Sequence, residues 1–278
     1  APGCIGRAVN AAALKQRATQ WLAQGRSAVL VELRGVKGSA PRDAGTRMVV
    51  TAETCWGTIG GGHLEWMAQA TARQLLSGTA AWPSPQRLAL GPTLGQCCGG
   101  SVELRYEPLS PDSLDAWALP APRFHLCLYG AGHVGQALVG LLRGVDVTID
   151  WLDTREEAFV DLPSEGHAGL RWWVSDDLAA DAGRAPSGAH HLVMTHSHSL
   201  DFDIVLRLLH RHDTGLVGLI GSKTKRRHFE GRLADRGLAA ARMAELVCPI
   251  GDPRIQGKEP AVVAVSVAAQ LLSLPAHR

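Results

Sequence analysis

Two adjacent cysteines on a glycine-rich turn are the side chains in this sequence best suited to direct chemistry. Cys97 and Cys98 stand between Gln96 and the pair Gly99-Gly100. A thiolate is a nucleophile and a soft metal ligand, and glycine lets a ligand approach the backbone closely. The alternative is that both cysteines are small, buried apolar residues. The pattern favours the first interpretation, in which Gln96, Cys97, Cys98 and Gly99 contact a ligand.

A second candidate site is the pattern G-x-G-x-x-G formed by Gly130, Gly132 and Gly135. It follows the apolar strand pattern FHLCLY and opens a predicted helix. The first glycine permits a tight turn, the second lets a pyrophosphate approach, and the third packs helix against strand. Asp153 ends the next predicted strand, where an acidic residue contacts a ribose hydroxyl. The pattern predicts a Rossmann fold whose glycines either bind a dinucleotide or serve turn and packing alone.

Histidines add polar groups near the same predicted edge. His133 lies inside the glycine pattern, and either faces the site or is a solvated residue at the helix start. His196 and His198 end a later predicted strand, and Asp201 follows them. Two histidines followed by an acid suggest metal ligands, contacts to another ligand, or polar residues that cap the next helix. The metallohydrolase spacing H-x-H-x-D-H does not match, so contact with a non-metal ligand is the favoured interpretation.

Other segments offer groups that bind anions or line a loop site. Ser222 and Lys223 follow a predicted strand and begin a basic helix, whose free N–H groups suit a phosphate. The alternative is a solvated basic helix face. Two glycine-rich loops in the first part of the chain carry further candidates, since such loops often carry function. These candidates are Arg42, Gly61, Gly62 and His63.

Two kinds of domain must position these residues. Residues 1–108 mix short strands with two helices and predict an α+β domain. Residues 109–122 are rich in proline, which disfavours regular structure, and predict a linker. Residues 123–278 alternate strand and helix, which predicts a parallel sheet with helices on both faces. The fold class is therefore α/β, with the N-terminal α+β domain followed by a Rossmann-like doubly wound parallel sheet.

Composition argues against several classes of protein. The chain has 28 Lys and Arg against 26 Asp and Glu, a net charge of +2 that is too balanced for a dedicated nucleic-acid binder. No apolar run reaches the roughly 18 residues of a membrane span, and the first residues do not resemble a signal peptide. Six cysteines without a C-x-x-C pair predict neither a disulfide framework nor a structural zinc site. We expect a cytoplasmic protein that binds neither nucleic acid nor membrane.

Seven motifs in a fixed order resemble those of the XdhC/CoxI family, and most closely its XdhC branch. The resemblance covers residues 29–272, and the forms GGGHLEW and QCCGG favour the XdhC branch. One segment departs from the family pattern, because DPRIQGKEP is longer than the link expected after CPIG. The motifs are GSAPRDAG, GTIGGGHLEW, GQCCGG, LYGAGHVGQAL, MTHSHSLDFDI, GLIGSKTKRRHFEGRL, and CPIG with KEPAVVAVSVAAQLL.

The resemblance implies a chaperone for molybdenum cofactor, with no catalytic residue, rather than an enzyme. Such proteins bind this molybdopterin cofactor, protect it from oxidation, support its sulfuration and deliver it to xanthine dehydrogenase. They work beside a cysteine desulfurase and a molybdenum cofactor nucleotidyltransferase, and we expect a homodimer. By this resemblance the candidate residues above bind the cofactor, and Cys97 or Cys98 lies by the molybdenum or relays sulfur.

Two other functions stay open on the residues alone. An NAD(P)-dependent oxidoreductase would use the glycine pattern, Asp153, and His196 or His198 as acid or base, but it leaves the N-terminal motifs without a role. NAD(P) in the Rossmann domain is therefore the alternative cofactor. A metal-dependent hydrolase centred on His196 and His198 fails on motif spacing.

Overall fold

The structure is a computed structural model that describes residues 9–90, 99–160 and 168–275. The chain divides into two compact units, of which one ends at Pro120 and the other begins at Ala121. Each unit has its own sheet and its own apolar core. In the described ranges no helix is both long enough and apolar enough to cross a membrane.

The first unit is built on a five-stranded antiparallel sheet. Its strands are β1 (Val29–Lys37), β2 (Arg47–Val50), β3 (Cys55–Gly57), β4 (Gln86–Ala89) and β5 (Ser101–Pro108). Their order in the sheet is β3-β2-β1-β5-β4. Val29, Leu30 and Val31 of the central strand are all fully buried, because helices cover both faces of the sheet. Strand β2 pairs with β3 and β4 pairs with β5, in both cases antiparallel.

Three helices pack on this sheet. They are α1 (Ala11–Ala23), α2 (Gly62–Leu76) and α3 (Pro111–Asp115). Helix α2 buries Leu64 and Ala68 on one face of the sheet, since residues four apart share one side of a helix. Helix α1 buries Ala18 and Trp21 on the opposite face, together with residues of α3.

The proline-rich segment 109–122 contains regular structure, and the expectation that it would not is wrong. Ser110 caps α3, because its hydroxyl accepts the N–H of Ser113 at 3.1 Å while the Ser113 hydroxyl accepts the N–H of Ser110 at 2.9 Å. Pro111 occupies the first turn, where a helix does not use the N–H that proline lacks. Trp117, only 2% exposed, joins the core beneath α1.

The second unit is built on a six-stranded parallel sheet. Its strands are β6 (His125–Tyr129), β7 (Thr148–Asp153), β8 (Leu170–Val174), β9 (His190–Val193), β10 (Val217–Leu219) and β11 (Leu246–Val247). Their order is β11-β10-β9-β6-β7-β8, and all neighbours are parallel. Counted within this unit the order is 3-2-1-4-5-6, that of the doubly wound dinucleotide-binding fold, whose ligands bind where the order reverses. That point is between β6 and β9.

Helices cover both faces of the parallel sheet. They are α4 (His133–Leu142), α5 (Leu178–Arg184), α6 (His198–Leu209), α7 (Lys223–Asp235), α8 (Ala240–Ala244) and α9 (Pro260–Leu272). Helices α4 and α9 enclose a core around Trp151 on one face. On the other face α5, α6 and α7 enclose Phe202 and Phe229. The predicted α/β class, with a Rossmann-like parallel sheet, is confirmed.

Candidate functional site

The glycines of the G-x-G-x-x-G pattern occupy three different environments. Gly130 has φ +113°, and a Cβ there would overlap the carbonyl oxygen of Met194 at the end of β9. A Cβ at Gly135 would lie 2.6 Å from the carbonyl oxygen of Gly130. A Cβ at Gly132 would meet nothing within 4 Å. The first and third glycines are therefore required by packing, whereas the second leaves open space in front of the backbone.

That open space lies at the start of a helix that no side chain caps. Gly132 is the residue before α4, and it offers no side chain to the free N–H groups of the first turn. Helices α6 and α7 differ, because the hydroxyls of Ser197 and Ser222 accept N–H groups of their own first turns. The first turn of α4 thus keeps its N–H groups for an external anion. His133, the first residue of α4, is exposed beside them.

Asp153 is committed to the protein rather than free for a ribose. Its Oδ2 accepts the N–H of Ala131 at 2.6 Å, and Arg155 donates Nε to Oδ1 at 2.9 Å and Nη2 to Oδ2 at 3.0 Å. Burial alone would raise the pKa of Asp153, but these hydrogen bonds outweigh it, so that the pKa lies below its ordinary value. Arg155 is 38% exposed, so one face of this ion pair reaches solvent.

The other candidates of this unit follow the neighbouring strands at the same edge. His196 and His198 come after β9, and Ser222 and Lys223 come after β10, so the parallel arrangement places all four at the carboxyl end of the sheet. The side chains of His196, His198 and Lys223 are exposed. The hydroxyl oxygen of Ser222 caps α7, because it accepts the N–H of Lys225. Among the described residues His196 and His198 belong to no cluster of three close metal-ligating side chains.

A buried ion pair that the sequence did not single out lies behind these loops. Asp201 is fully buried, and its Oδ1 accepts the N–H of Thr195 at 3.0 Å. Its Oδ2 accepts the Nζ of Lys225 at 2.6 Å, and Lys225 also donates to the carbonyl oxygen of Ile220 at 2.9 Å. This pair fixes the turn after β9 to the start of α7. Lys225, not Lys223, is therefore the lysine that organises this edge.

In the first unit one loop brings two of the predicted glycine motifs together. Residues 38–45 connect β1 to β2, and Pro41 lies so close to Gly60 that a Cβ there would be 2.5 Å from the proline Cγ. Two residues before Pro41 in the same loop, the carbonyl oxygen of Ser39 would overlap a Cβ at Gly100. The Cγ of Arg42, which is exposed, is 3.6 Å from the same position at Gly60.

The glycine turn before α2 is held by one buried carboxylate. The Oε2 of Glu65 accepts the Thr58 hydroxyl at 2.5 Å and the N–H groups of Ile59 and Gly61 at 3.1 Å each. Gly61 has φ +74°, and a Cβ there would meet nothing within 4 Å. Gly62, with φ +63°, is the first residue of α2. The turn is therefore fixed from within and open toward solvent.

An aromatic pair stands beside this open turn. The rings of His63 and Trp66 are stacked, with centroids 5.4 Å apart and planes at 26°. Trp66 is 54% exposed, which is unusual for so large an apolar side chain. The pair presents a flat surface next to Gly61. The sequence named His63 but not Trp66, whose only signal was its place one helical turn after His63.

Of the predicted cysteine turn, the structure describes only the two glycines that follow the cysteines, Gly99 and Gly100. Gln96, Cys97 and Cys98 lie outside the described residues. Gly99 is exposed, and a Cβ there would meet nothing within 4 Å. Gly100 donates its N–H to the carbonyl oxygen of Ser39 at 3.1 Å, so this flank is tied to the loop that also contacts Gly60.

These features define a class of protein with an antiparallel α+β unit rich in glycine turns and a Rossmann unit with an uncapped phosphate-type turn. The XdhC Rossmann domain matches residues 126–271, more than half of the chain, and the XdhC and CoxI family matches residues 21–82. The chain belongs to the XdhC and CoxI family. The resemblance read from the seven motifs is therefore confirmed.

Two similar proteins extend the comparison. A Bacillus halodurans protein described as a xanthine dehydrogenase has a solved structure with a TM-score of 0.69 and 20% identity, covering 93% of this chain and 94% of that one. At this identity the likeness shows a shared fold. The uncharacterized protein YqeB of Escherichia coli K12 is 24% identical over 245 residues, which are 86% of this chain. This chain covers 42% of YqeB, so it spans less than half of that relative.

Proposed function

We propose that this protein is an accessory protein of xanthine dehydrogenase that binds molybdenum cofactor, protects it, supports its sulfuration and delivers it. Membership of the XdhC and CoxI family supports an accessory role. The observation that carries the proposal is the loop 38–45, which joins the open glycine turn before α2 to the flank of the cysteine turn. A Rossmann enzyme would not need this arrangement in its first unit.

The cargo has three chemically distinct parts, and each unit, considered by itself, offers groups that suit one or more of them. In the second unit the uncapped first turn of α4, where Gly132 leaves open space, suits a phosphate group of this cargo or of a nucleotide. The flat pterin suits the stacked pair of His63 and Trp66 beside the open Gly61. The molybdenum end suits a thiolate, which Cys97 or Cys98 supplies. The cargo provides the redox centre of the recipient dehydrogenase, so this chain carries it and performs no turnover.

Handling such a cargo requires partners. The chain would receive the cofactor from a molybdenum cofactor nucleotidyltransferase, be supplied with sulfur by a cysteine desulfurase, and dock on xanthine dehydrogenase, acting as a cytoplasmic homodimer. A thiol pair supports the sulfuration step, since a cysteine can accept a sulfur atom as a persulfide and pass it on. These partners follow from the family and from this chemistry.

Cofactor content tests the proposal. The protein would be produced in cells supplied with molybdate and purified without oxygen, with molybdenum counted by mass spectrometry and pterin by fluorescence after oxidation. We expect close to one of each per chain, and loss of both in the variant Cys97→Ser/Cys98→Ser. The matched control is Cys55→Ala, which removes a buried thiol of the same unit. Unchanged content in the double variant, or a folded protein with neither component, would contradict the proposal.

A second candidate function has one observation in its favour. Arg155 forms hydrogen bonds with Asp153 at the end of β7. An arginine at this position can bind the 2′-phosphate of NADP, whereas Asp153, already bonded to Arg155, is not free to bind the ribose of NAD. An NADP-dependent oxidoreductase would therefore bind NADPH more tightly than NADH. Fluorescence titration with both dinucleotides distinguishes the functions, because tight NADPH binding with turnover of a carbonyl substrate would favour the enzyme.

A further inference from the structure

A row of polar side chains crosses the buried face of the parallel sheet beneath α5 and α6. Cys127 on β6 is paired in register with Asp150 on β7 and with His191 on β9. His125 lies two residues before Cys127, so its side chain is on the same face. Cys127 is 2% exposed, Asp150 4% and His191 0%. This face is otherwise an apolar core, where burying a polar group costs free energy unless the group is hydrogen-bonded, paired with a charge or bound to a metal.

Three of these residues hold metal-ligating atoms close together. A nitrogen of His125, the Sγ of Cys127 and a carboxylate oxygen of Asp150 all lie within 4.8 Å of one another. In the part of the chain that the structure describes, this is the one such cluster. The His125 Nε2 lies 2.8 Å from Asp150 Oδ2, which accepts its hydrogen bond. A tetrahedral zinc ion would separate its ligand atoms by roughly 3.3 to 3.7 Å, so shifts of about 1 Å suffice.

The surroundings suit a metal site. Arg171 donates Nε to Asp150 Oδ1 at 2.7 Å and Nη2 to Oδ2 at 2.8 Å, which orients the carboxylate from outside. His125 is 23% exposed and gives an ion a route from solvent. The neighbouring His191 donates or accepts at Nδ1 with the Tyr129 hydroxyl at 3.2 Å, while its buried Nε2 has no hydrogen-bond partner among the described residues. This face therefore offers, besides the three close residues, a buried imidazole nitrogen that no hydrogen bond uses among the described residues.

We propose that His125, Cys127 and Asp150 form a site for a divalent transition metal of the zinc class, distinct from the cargo site. The nitrogen, sulfur and oxygen ligands match the preferences of zinc, and three protein ligands leave a fourth position open. Binding replaces the thiol proton of Cys127, which goes to water, and the imidazole proton of His125 moves from Nε2 to Nδ1. His125 and Cys127 lie within the first three residues of β6 and Asp150 lies on β7, whereas the glycine pattern follows the last residue of β6.

Cobalt is the probe for this site, because a thiolate bound to Co²⁺ gives a charge-transfer absorption band that zinc abolishes by displacement. The full chain, freed of metal with a chelator, would be titrated with Co²⁺ alone. We expect one Co²⁺ per chain with a thiolate band, and loss of that band in Cys127→Ala. Arg171→Ala keeps all three ligands and should weaken Co²⁺ binding roughly 10- to 100-fold.

Two controls assign the band to this cysteine. Cys97→Ser/Cys98→Ser and Cys248→Ala, which remove thiols elsewhere, should leave the band unchanged. His125→Ala, at the partly exposed ligand, replaces Cys127→Ala if the latter fails to fold by circular dichroism, and it should weaken Co²⁺ binding at least as much as Arg171→Ala. A chain without a thiolate band would overturn the proposal. So would a band that survives in the folded ligand variants or that disappears with Cys97 and Cys98.

Discussion

The Nζ of Lys225 lies 2.6 Å from Oδ2 of Asp201, and both side chains are almost completely withdrawn from solvent. Asp201 also accepts the N–H and the hydroxyl of Thr195. One carboxylate therefore joins the turn after β9 to the first turn of α7. This pair therefore holds in place both the turn that carries His196 and His198 and the loop that leads into α7.

Breaking this pair should be costly. In Lys225→Met the fully buried Asp201 loses its partner, and we expect a loss of about 3 to 5 kcal/mol in the free energy of unfolding. Urea unfolding measures it. The control Lys223→Met, two residues away and exposed, should change stability by no more than about 0.5 kcal/mol. Equal losses in the two variants would show that the pair does not organise this edge.

The glycines of the Rossmann turn should respond differently to a methyl group. Gly130→Ala places a Cβ on the carbonyl of Met194 at a φ of +113°, so we expect a loss of at least about 2 kcal/mol in the free energy of unfolding. Gly132→Ala meets open space, and its stability loss should be about 1 kcal/mol or less. Gly132→Ala should instead weaken anion binding at α4. Thermal unfolding with and without inorganic phosphate separates the two effects.

The ion pair of Asp153 predicts a dependence of stability on pH. Because hydrogen bonds hold the pKa of Asp153 below its ordinary value of about 3.9, the pair stabilises the fold fully above that pH. The contribution is lost as the pH falls toward the folded-state pKa. Arg155→Gln removes the guanidinium and brings the folded-state pKa closer to the ordinary value, so the loss of stability on acidification should become smaller. Urea unfolding between pH 3 and 7 measures it.

A surface pair provides the comparison for that experiment. Arg184 is 79% exposed and lies 3.7 Å from Asp181, so Arg184→Gln should shift the pH profile of stability less than Arg155→Gln does. Identical profiles for the wild type and Arg155→Gln would show that Arg155 does not set the pKa of Asp153.

Trp66 should matter for cargo rather than for folding. Its side chain is 54% exposed, so Trp66→Ala should change the free energy of unfolding by no more than about 1 kcal/mol. Stacking of a flat heterocycle on an aromatic side chain contributes about 1 to 3 kcal/mol, so retention of the pterin should fall roughly tenfold or more. Trp82→Ala, an equally large exposed change in the same unit, should retain the pterin. Equal retention in both variants would remove Trp66 from the site.

The Rossmann unit was readable from the sequence because its signals are local. Each apolar strand pattern is followed by a helix pattern, and the glycine spacing reports close contacts along the chain, as between Gly130 and Gly135. Helix α3 was missed because proline at the first turn of a helix favours the helix, although elsewhere proline breaks it.

The features that could not be predicted from the sequence depend on contacts between residues far apart in the chain. Lys225 and Lys223 look equivalent in the sequence, and only the fold shows that Lys225 reaches Asp201. Likewise Asp153 matched the expected position for a ribose ligand, but its partner Arg155 already fills the carboxylate. The cluster of His125, Cys127 and Asp150 is formed by two strands, so no residue spacing within a single segment predicts it.

The loop 38–45 packs against Gly60 through Pro41 and against Gly100 through Ser39, and neither contact leaves room for a methyl group on the glycine. A segment packed this tightly moves as one piece, because protein interiors absorb little compression. A ligand that shifts the loop at the α2 turn therefore also shifts the flank of the cysteine turn. Two ligands that bind on either side and move the loop must alter each other's affinity by the same factor, so that a pterin fragment at the α2 turn becomes an effector of ligand binding at the cysteine turn.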